Sequence, residues 1–242
     1  MPTPLPITIV TLFPDMFGGW MEQGGVGRAR ARGVVDITLL DLRPFGLGTH
    51  LQVDDYPFGG GAGMVLRPEP LFAAVESIPC VDEGPIILLS PRGRRFTQSV
   101  AQEFAGMSRL TFIAGHYEGV DERVGEHLAT DEISIGDYVL SGGEPAAMVV
   151  VDAVARLLPG AMDEASGREE SFVEDMLEYP QYTRPADFRG WTVPDVLVSG
   201  HHAKVASWRR EAALERTRKV RPDLVQDEAQ MSTEEAEGPI VG

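Results

Sequence analysis

The chain has 242 residues, of which 43% are hydrophobic, a composition typical of one large globular domain or of a domain with a smaller partner. Its formal net charge of −16 argues against a polyanionic partner and, taken alone, favours a metabolic enzyme. The single cysteine, Cys80, excludes an intramolecular disulfide. Neither lysine, Lys204 or Lys219, lies in a GxxxxGK[ST] loop, which argues against a nucleoside triphosphatase of the Walker type.

The amino-terminal segment, MPTPLPITIVTLFP, has no basic residues before its apolar run, and the run is too short and too rich in proline to span a bilayer. No later segment of the sequence is long and apolar enough to do so either. We therefore expect a cytoplasmic protein that does not associate with membranes. The five histidines form no HExxH or CxxC-type ligand set, so the sequence gives no support to a bound zinc ion.

Short β-branched segments alternate with helical patterns along most of the chain. The sequence predicts strands over residues 7–12, 35–40, 86–90, 110–114 and 132–135. It predicts helices over residues 70–77, 97–105 and 121–128, with Thr97 and Asp121 as N-caps. Because strands and helices alternate, we expect an α/β domain built on a mainly parallel sheet.

The segment PAAMVVVDAVARLL predicts a helix over residues 145–158, with Pro145 in its first turn. This helix is apolar over most of its circumference, so we expect it to be buried, in part between subunits.

The remaining pattern suggests a division of the chain into four parts. We assign residues 1–160 to the α/β domain and the acidic, weakly patterned residues 161–178 to a mobile linker. A long amphipathic pattern that begins at Ser199 indicates a small helical domain over residues 179–228. Residues 229–242 are expected to form a disordered acidic tail.

Charge is unevenly distributed along the chain. Residues 131–188 and 227–237 are strongly acidic. The basic segments are Arg28, Arg30 and Arg32, then Arg92, Arg94 and Arg95, and finally residues 204–221. Because binding responds to local patches of charge, these basic segments are compatible with a nucleic-acid partner despite the negative net charge.

Three consecutive predicted strands each lead into a loop of small and polar residues, at 91–93, 115–119 and 136–143. In open α/β sheets ligands bind beyond the carboxyl ends of the strands, and glycine lets backbone groups approach a ligand closely. Together the loops can hold a nucleoside through main-chain hydrogen bonds, although in each loop alone the glycines can simply make turns. No GxGxxG fingerprint follows a strand, which argues against a conventional dinucleotide site.

Six segments carry a resemblance to a known family. They are VDDYPFGGGAGMVL (53–66), GHYEGVDERV (115–124), SIGDYVLSGGE (134–144), DAVARLLPG (152–160), YTRP (182–185) and VLVSGHH (196–202). In this order they resemble the bacterial tRNA (guanine-N1)-methyltransferases, and the match runs from Ile7 to about Leu224. The resemblance implies a fold of the SPOUT class, in which a mainly parallel α/β sheet is tied in a deep trefoil knot and a small helical domain follows.

The resemblance also implies that the three loops bind S-adenosylmethionine. The cofactor-binding residues that it implies are Leu89, Ser90, Pro91, Gly115, Tyr117, Glu118, Ile135, Gly136, Asp137, Tyr138, Val139, Leu140 and Gly142. For Ile135, Val139 and Leu140 the alternative is core packing, with the cofactor contacting only their backbones. Glu118 and Asp137 can balance the positive charge of the sulfonium or can be solvated loop carboxylates.

By the same resemblance, the methyl acceptor is N1 of the guanine at position 37 of tRNA, beside the anticodon. This N1 carries a proton, so a general base must remove it, and a cation near O6 would stabilise the charge that develops there. The family assigns the cation to the arginine of DAVAR, here Arg156, and the base to an aspartate in an EDSF stretch. In this chain the stretch reads EESF, and Glu170 stands where the family has aspartate.

This departure from the family pattern leaves the identity of the base open. Glutamate keeps the carboxylate but adds a methylene group, so Glu170 is the first candidate and Glu169 the alternative. Asp163, Glu164 and Asp175 lie nearby in sequence, although most of this acidic run is expected to be solvated. For Arg156 the alternative is an arginine on the helix surface that pairs with a carboxylate.

The substrate-binding residues implied by the resemblance are Gly59, Gly60 and Gly61 in the GGGAGM loop, and His201 and Arg209 in the helical domain. The alternative for the loop is a flexible hairpin tip. The basic helix is expected to bind phosphates of the tRNA anticodon stem-loop, and Trp208 to lie in the core rather than to stack on RNA. The resemblance further implies a homodimer with composite active sites and a dependence on magnesium, for which we can assign no ligands.

Three other functions are compatible with parts of this pattern. The first is the same fold acting on another RNA or on another base atom. The second is a non-catalytic RNA-binding protein that keeps the knot as a scaffold. The third is a small-molecule α/β enzyme, which the net charge alone would favour and which predicts no salt-sensitive binding of RNA.

Overall fold

The structure is a computed structural model that describes residues 3–162, 171–172 and 176–225. The chain divides into two compact units, Met1–Met162 and Asp163–Gly242. The candidate bases Glu170 and Glu169, most of the predicted linker and the acidic tail lie outside the described residues. In the part of the chain that the structure describes, no helix is long and apolar enough to cross a membrane.

A five-stranded parallel sheet lies at the centre of the first unit. The strands of this unit are β1 (Leu5–Thr11), β2 (Val35–Asp41), β3 (Asp54–Asp55), β4 (Val65–Leu66), β5 (Ile86–Arg95), β6 (Leu110–Ala114) and β7 (Asp131–Ser134). The central sheet has the order β2-β1-β6-β5-β7, and each of its pairs is parallel. The predicted α/β domain with a mainly parallel sheet is therefore confirmed.

Helices cover both faces of the sheet, because alternate side chains of a strand point to opposite faces. They are α1 (Gly18–Glu22), α2 (Gly24–Ala31), α3 (Pro68–Glu76), α4 (Gln98–Ala105), α5 (Glu122–His127) and α6 (Glu144–Leu157), with 3₁₀ turns at Pro14–Phe17, Arg43–Phe45 and Val81–Glu83. Ile9 of β1 belongs to a core formed with α2, α4 and α6, whereas Val10 belongs to a second core formed with α3 and α5.

The predicted helix starts are confirmed by their hydrogen bonds. The hydroxyl of Thr97 accepts a hydrogen bond from the backbone N–H of Val100 at 3.4 Å, and the carboxylate of Asp121 accepts one from Arg123 at 3.1 Å. Pro145 lies in the first turn of α6, where its missing N–H leaves no bond unmade. The apolar face of α6 is buried in the first core, as its sequence predicts.

Strand β5 runs further than the predicted residues 86–90. Leu89 and Arg94 both pair with Ile133 of β7, so residues 90–93 bulge out of the sheet between them. This bulge is the first of the three predicted loops. It contains Pro91, which lacks the N–H that a regular ladder would use.

The GGGAGM segment lies between β3 and β4, which pair in antiparallel fashion. Gly59, Gly60 and Gly63 have φ angles of 85°, 81° and 81°, in the left-handed region that favours glycine. The segment is therefore a hairpin connection, as one of the two interpretations of the sequence proposes.

The second unit contains a short hairpin and two helices within its described residues. These are β8 (Asp187–Phe188), β9 (Trp191–Thr192), α7 (Asp195–Val198) and α8 (His202–Val220). Thr217 of α8 is buried, and its hydroxyl accepts a hydrogen bond from the N–H of Leu177 at 2.9 Å. Trp208 is half-buried, with its ring centroid 6.3 Å from that of Tyr182, in agreement with a packing role.

Two features of the first unit escape prediction from sequence. Helices α1 and α2 have a glycine-rich sequence with low helix propensity, and α2 forms because it buries Val26 and Ala29 against the sheet. The short pair β3 and β4 has too few residues to show an alternating pattern. The trefoil knot implied by the resemblance stays a prediction.

Candidate active site

A cavity of about 330 Å³ opens at the carboxyl ends of β5, β6 and β7. This volume is within the range of pockets that bind small molecules. The three loops that follow these strands line it, together with Ala146 of α6. The parallel pairing of the strands thus brings together three segments that are far apart in sequence.

The second and third loops are held side by side by backbone contacts. The N–H of Gly143 donates a hydrogen bond to the carbonyl of Gly115 at 2.7 Å. An isolated antiparallel bridge joins His116 to Gly142. The relative position of these two loops is therefore fixed by main-chain bonds rather than by side-chain packing alone.

Two glycines of the cavity are required by close approach. A Cβ on Gly143 would lie 2.8 Å from the Cα of Ala114 and 2.9 Å from the backbone nitrogen of Gly115. Gly136 has a φ of 152°, and a Cβ there would lie 2.5 Å from the ring of Tyr138. A larger residue at Gly143 would push the two loops apart, because the atoms that it meets belong to the backbone.

Two tyrosines line the cavity, and each is held in place by different interactions. Tyr138 donates a hydrogen bond from its hydroxyl to the carbonyl of Ile135 at 3.3 Å, which folds the third loop back on itself. Tyr117 has a φ of 60°, and its ring packs edge-on against His116 at 5.0 Å. Burial raises the pKa of the Tyr117 phenol, and the negative charge of Asp54 raises it further, so this group stays neutral at physiological pH.

The structure gathers almost the whole predicted cofactor-binding set around this cavity. The predicted residues that line it are Leu89, Ser90, Pro91, Gly115, Tyr117, Glu118, Ile135, Gly136, Tyr138, Val139, Leu140 and Gly142. Asp137 is the exception, since it is exposed on the third loop and does not line the cavity. Core packing is the wrong interpretation for Val139 and Leu140, because they are 86% and 40% exposed.

The GHYEG loop also docks on the GGGAGM hairpin. The N–H of Glu118 donates to the carbonyl of Met64, and that of Leu66 donates to Gly119, each at 3.0 Å. A Cβ on Gly63 would overlap the side chain of Glu118. The hairpin that carries Gly59, Gly60 and Gly61 is thus attached to one wall of the cavity, although these three glycines are exposed and do not line it.

Sequence reasoning missed a buried polar group behind the cavity. Glu144, the first residue of α6, is only 1% exposed and accepts a hydrogen bond from the hydroxyl of Thr11 at 2.8 Å. His116, which lines the cavity, faces the same carboxylate. The available signal was an acidic residue at the start of a helix that is apolar over most of its circumference.

The structure describes one of the two predicted catalytic residues. Arg156 lies on the exposed side of the last turn of α6, with its Nε 3.4 Å from the sulfur of Met162. Glu170 lies outside the described residues.

The basic segments of the first unit are largely engaged within the protein. Arg32 donates hydrogen bonds to the carbonyls of Gly160 and Ala161, which attaches α2 to the chain that follows α6. Arg94 contacts Asp131 and Glu103, and the hydrogen bonds to these two carboxylates raise the pKa of its guanidinium. These arginines are thus less available to phosphates than their sequence suggests.

The two predicted substrate-binding residues of the second unit differ in exposure. His201 is exposed at the start of α8, with Nδ1 2.9 Å from the carbonyl of Ser199. Arg209 is half-buried, and its guanidinium lies 4.6 Å from the ring centre of Tyr179. Stacking on an aromatic ring gives Arg209 a packing role within this unit.

Among the described residues, no group of three or more histidine, cysteine, aspartate or glutamate side chains is arranged to hold a metal ion. The predicted magnesium dependence therefore has no assigned ligands.

Comparison with known proteins identifies the family. The family model described as tRNA (Guanine-1)-methyltransferase TrmD matches residues 5–227. A tRNA (guanine-N(1)-)-methyltransferase of Geobacillus kaustophilus is 55% identical over 223 residues, or 91% of each chain. A protein of the same name from Gloeobacter violaceus is 55% identical over 92% of this chain and 99% of its own length. Another, from Thermus thermophilus, is 54% identical over 90% of each chain. The chain therefore belongs to the tRNA (guanine-1)-methyltransferase family.

Proposed function

We propose that the protein transfers the methyl group of S-adenosylmethionine to N1 of the guanine at position 37 of tRNA. The observation that carries this proposal is the cavity at the carboxyl ends of β5, β6 and β7, within the segment that matches the family. We propose further that the reaction takes place in the cytoplasm, since its substrate is transfer RNA.

The residues of the cavity fit S-adenosylmethionine. Leu89 and Ile133 are buried apolar side chains that suit an adenine ring. Gly115 and Gly142 bring backbone groups to the cavity without a Cβ, as hydrogen bonding to a nucleoside requires. Glu118 lines the cavity as well, and its carboxylate would balance the charge of a sulfonium.

When bound, the cofactor supplies an electrophilic methyl group on a positively charged sulfur. The protein must then take the proton from N1 of guanine, because N1 has no free lone pair until that proton leaves. We assign this proton transfer to the carboxylate of Glu170, with Glu169 as the alternative. Glu170 has one methylene group more than the family aspartate, so its carboxylate can reach further from the main chain than that of aspartate.

Arg156 is the group we assign to charge stabilisation. As the proton leaves N1, negative charge builds on O6 of guanine, and a guanidinium beside O6 lowers the energy of the transition state. The exposure of Arg156 at the last turn of α6 supports this role, because its side chain is accessible to a second molecule.

The proposal also assigns the binding of tRNA to α8. Arg210, Arg216 and Arg218 are exposed on this helix and can contact phosphates of the anticodon stem. An anticodon loop offers an unpaired guanine, so its Watson–Crick edge is reached without opening a duplex.

We further propose a homodimer in which the cofactor binds to one subunit and Glu170 comes from the other. Mixing Arg156→Ala subunits with Glu170→Gln subunits tests this arrangement. Mixed dimers should regain one working site, because each intact residue is then supplied by a different chain. Inactivity after verified subunit exchange would contradict the shared site.

The reaction itself is tested by incubating the protein with labelled S-adenosylmethionine and bulk tRNA, followed by identification of the methylated nucleoside. The expected product is 1-methylguanosine. Methylation at N2, at N7 or on a ribose hydroxyl would overturn the proposal.

A further inference from the structure

Glu144 is the most deeply buried carboxylate described in the first unit, and it lies directly behind the cavity. One of its oxygens, Oε1, accepts the hydrogen bond from Thr11 at the end of β1. It is the first residue of a 14-residue helix. A carboxylate this buried is normally held by more than one donor.

The second oxygen of Glu144 faces a histidine without touching it. Oε2 lies 3.8 Å from Nδ1 of His116, a distance too long for a hydrogen bond. This Nδ1 is buried and has no hydrogen-bond partner among the described residues. In the tautomer that carries a proton on Nδ1, His116 therefore presents a donor to this acceptor, one short movement away from pairing.

Two aromatic rings and a glycine enclose this pair. The ring of His116 packs against Phe13 at 4.8 Å and against Tyr117 at 5.0 Å. Gly142 lies beside both polar groups, and a Cβ there would overlap Oε2 of Glu144 and Nδ1 of His116. Since main-chain bonds hold the second and third loops side by side, the movement that closes the gap is a small shift of the His116 and Glu144 side chains.

We propose that Glu144 and His116 are a positioning pair that closes when the cofactor binds. This inference rests on the proposed function, since it assumes that S-adenosylmethionine occupies the cavity. On binding, Nδ1–H of His116 donates a hydrogen bond to Oε2 of Glu144, and no proton is transferred. The bond adds a side-chain link between the second loop, which carries Tyr117 and Glu118, and the start of α6. Hydrogen bonds of an active site often tighten in this way only when the ligand is present.

A double-mutant cycle on cofactor affinity tests the pair. His116→Phe keeps the ring contacts but removes Nδ1, and Glu144→Met keeps the length of the side chain but removes both oxygens. Each variant should raise the Kd for S-adenosylmethionine, measured by calorimetry, by about tenfold, the value of one charge-assisted hydrogen bond. The double variant should lose no more than the larger single loss, because both changes remove the same bond.

The controls separate positioning from stability. Thr111→Val removes a buried hydroxyl that has no partner among the described residues, and it should leave the Kd unchanged. Glu144→Gln can still bond to His116 through its amide, so it should bind more tightly than Glu144→Met. If Glu144→Met does not fold, the ¹⁵N signal of Nδ1 of His116 in the native protein should still shift to that of a hydrogen-bonded donor on cofactor addition.

Two results would overturn the pair while leaving the proposed function intact: single-variant losses that multiply in the double variant, or an Nδ1 signal that ignores the cofactor. Failure of the native protein to bind S-adenosylmethionine would instead contradict the proposed function.

Discussion

The arginines of the first unit and those of helix α8 have different surroundings. Arg94 in β5 lies 2.6 Å from a carboxylate oxygen of Asp131 and 2.9 Å from one of Glu103. Arg210 and Arg218 in α8 are exposed, and no carboxylate of the described residues lies within ion-pair distance of them. The same residue type thus stabilises the fold in one unit and stays open to an outside anion in the other.

This difference explains how a protein with a net charge of −16 can act on a polyanion. In the first unit, Arg92 and Arg94 are paired with internal carboxylates, and the cavity is lined mainly by backbone groups and apolar side chains, which suits a small cofactor. In the second unit, the exposed arginines of α8 give a local positive surface, and local charge governs contact with phosphates. Composition averages these two surfaces and therefore predicts the wrong class of partner.

The largest effect is expected from a change of the proposed general base, Glu170. Glu170→Gln should reduce the single-turnover rate of methyl transfer by about 10²–10⁴-fold, the usual contribution of a positioned general base. Cofactor and tRNA affinities should change little, because those depend on the cavity and on α8. Glu170→Asp, which restores the family residue, should remain active.

Glu169→Gln is the matched control for this prediction. If Glu169→Gln abolishes the reaction while Glu170→Gln does not, the base lies one residue earlier. If neither change affects the rate, the assignment of the proton transfer to this stretch is wrong.

The next largest effect is expected on the affinity of the cavity for S-adenosylmethionine. Gly143→Ala should raise the Kd for S-adenosylmethionine by at least about tenfold, because its Cβ would meet the backbone of Ala114 and Gly115. Its affinity for tRNA at saturating cofactor should stay near that of the native protein. Gly106→Ala is the control, since its Cβ would find its nearest neighbour at 3.5 Å. Equal cofactor affinities for the two variants would show that the approach of the second and third loops is unimportant.

A smaller effect, on the salt dependence of tRNA binding, should distinguish the exposed arginines of α8 from the paired Arg94 of β5. Arg210→Ala and Arg218→Ala should each weaken tRNA binding and reduce the slope of log Kd against log salt by roughly 0.7–0.9, the value of one phosphate contact. Arg94→Ala should lower thermal stability and leave the salt slope unchanged, because its partners are internal carboxylates. Filter binding at several salt concentrations provides the slopes. A change of slope with Arg94→Ala would break the distinction between the two surfaces.

The smallest effect is expected at the start of α5. The hydrogen bond from Arg123 lowers the pKa of Asp121, so the carboxylate stabilises the fold above its ordinary pKa of about 4 and loses this effect as the pH falls below that value. Asp121→Asn keeps an N-cap but not the charge, and should lower Tm by about 1 °C at pH 7. Thermal scans from pH 7 to pH 3 should show the difference from the native protein shrink toward the acid end.

Much of the sheet and of its helices can be predicted from sequence, since β6 and α6 show clear patterns of buried residues. The cavity can be predicted too, because the carboxyl ends of parallel strands lie at one edge. The bulge in β5 is not predictable, since two separated residues pair with the same partner only in three dimensions. The proximity of Glu144 and His116 is likewise not predictable, since the two residues are far apart in sequence and are brought together by the close approach of two loops.

The most direct test of the account is methyl transfer to two tRNA transcripts that differ only at position 37. With guanine at position 37, and most strongly when position 36 is also guanine, the protein should form 1-methylguanosine at that position. With adenine at position 37, the account predicts no methyl incorporation, because the acceptor N1–H and its O6 are both gone. Equal incorporation into both transcripts would contradict the assignment of the anticodon-adjacent guanine as the substrate.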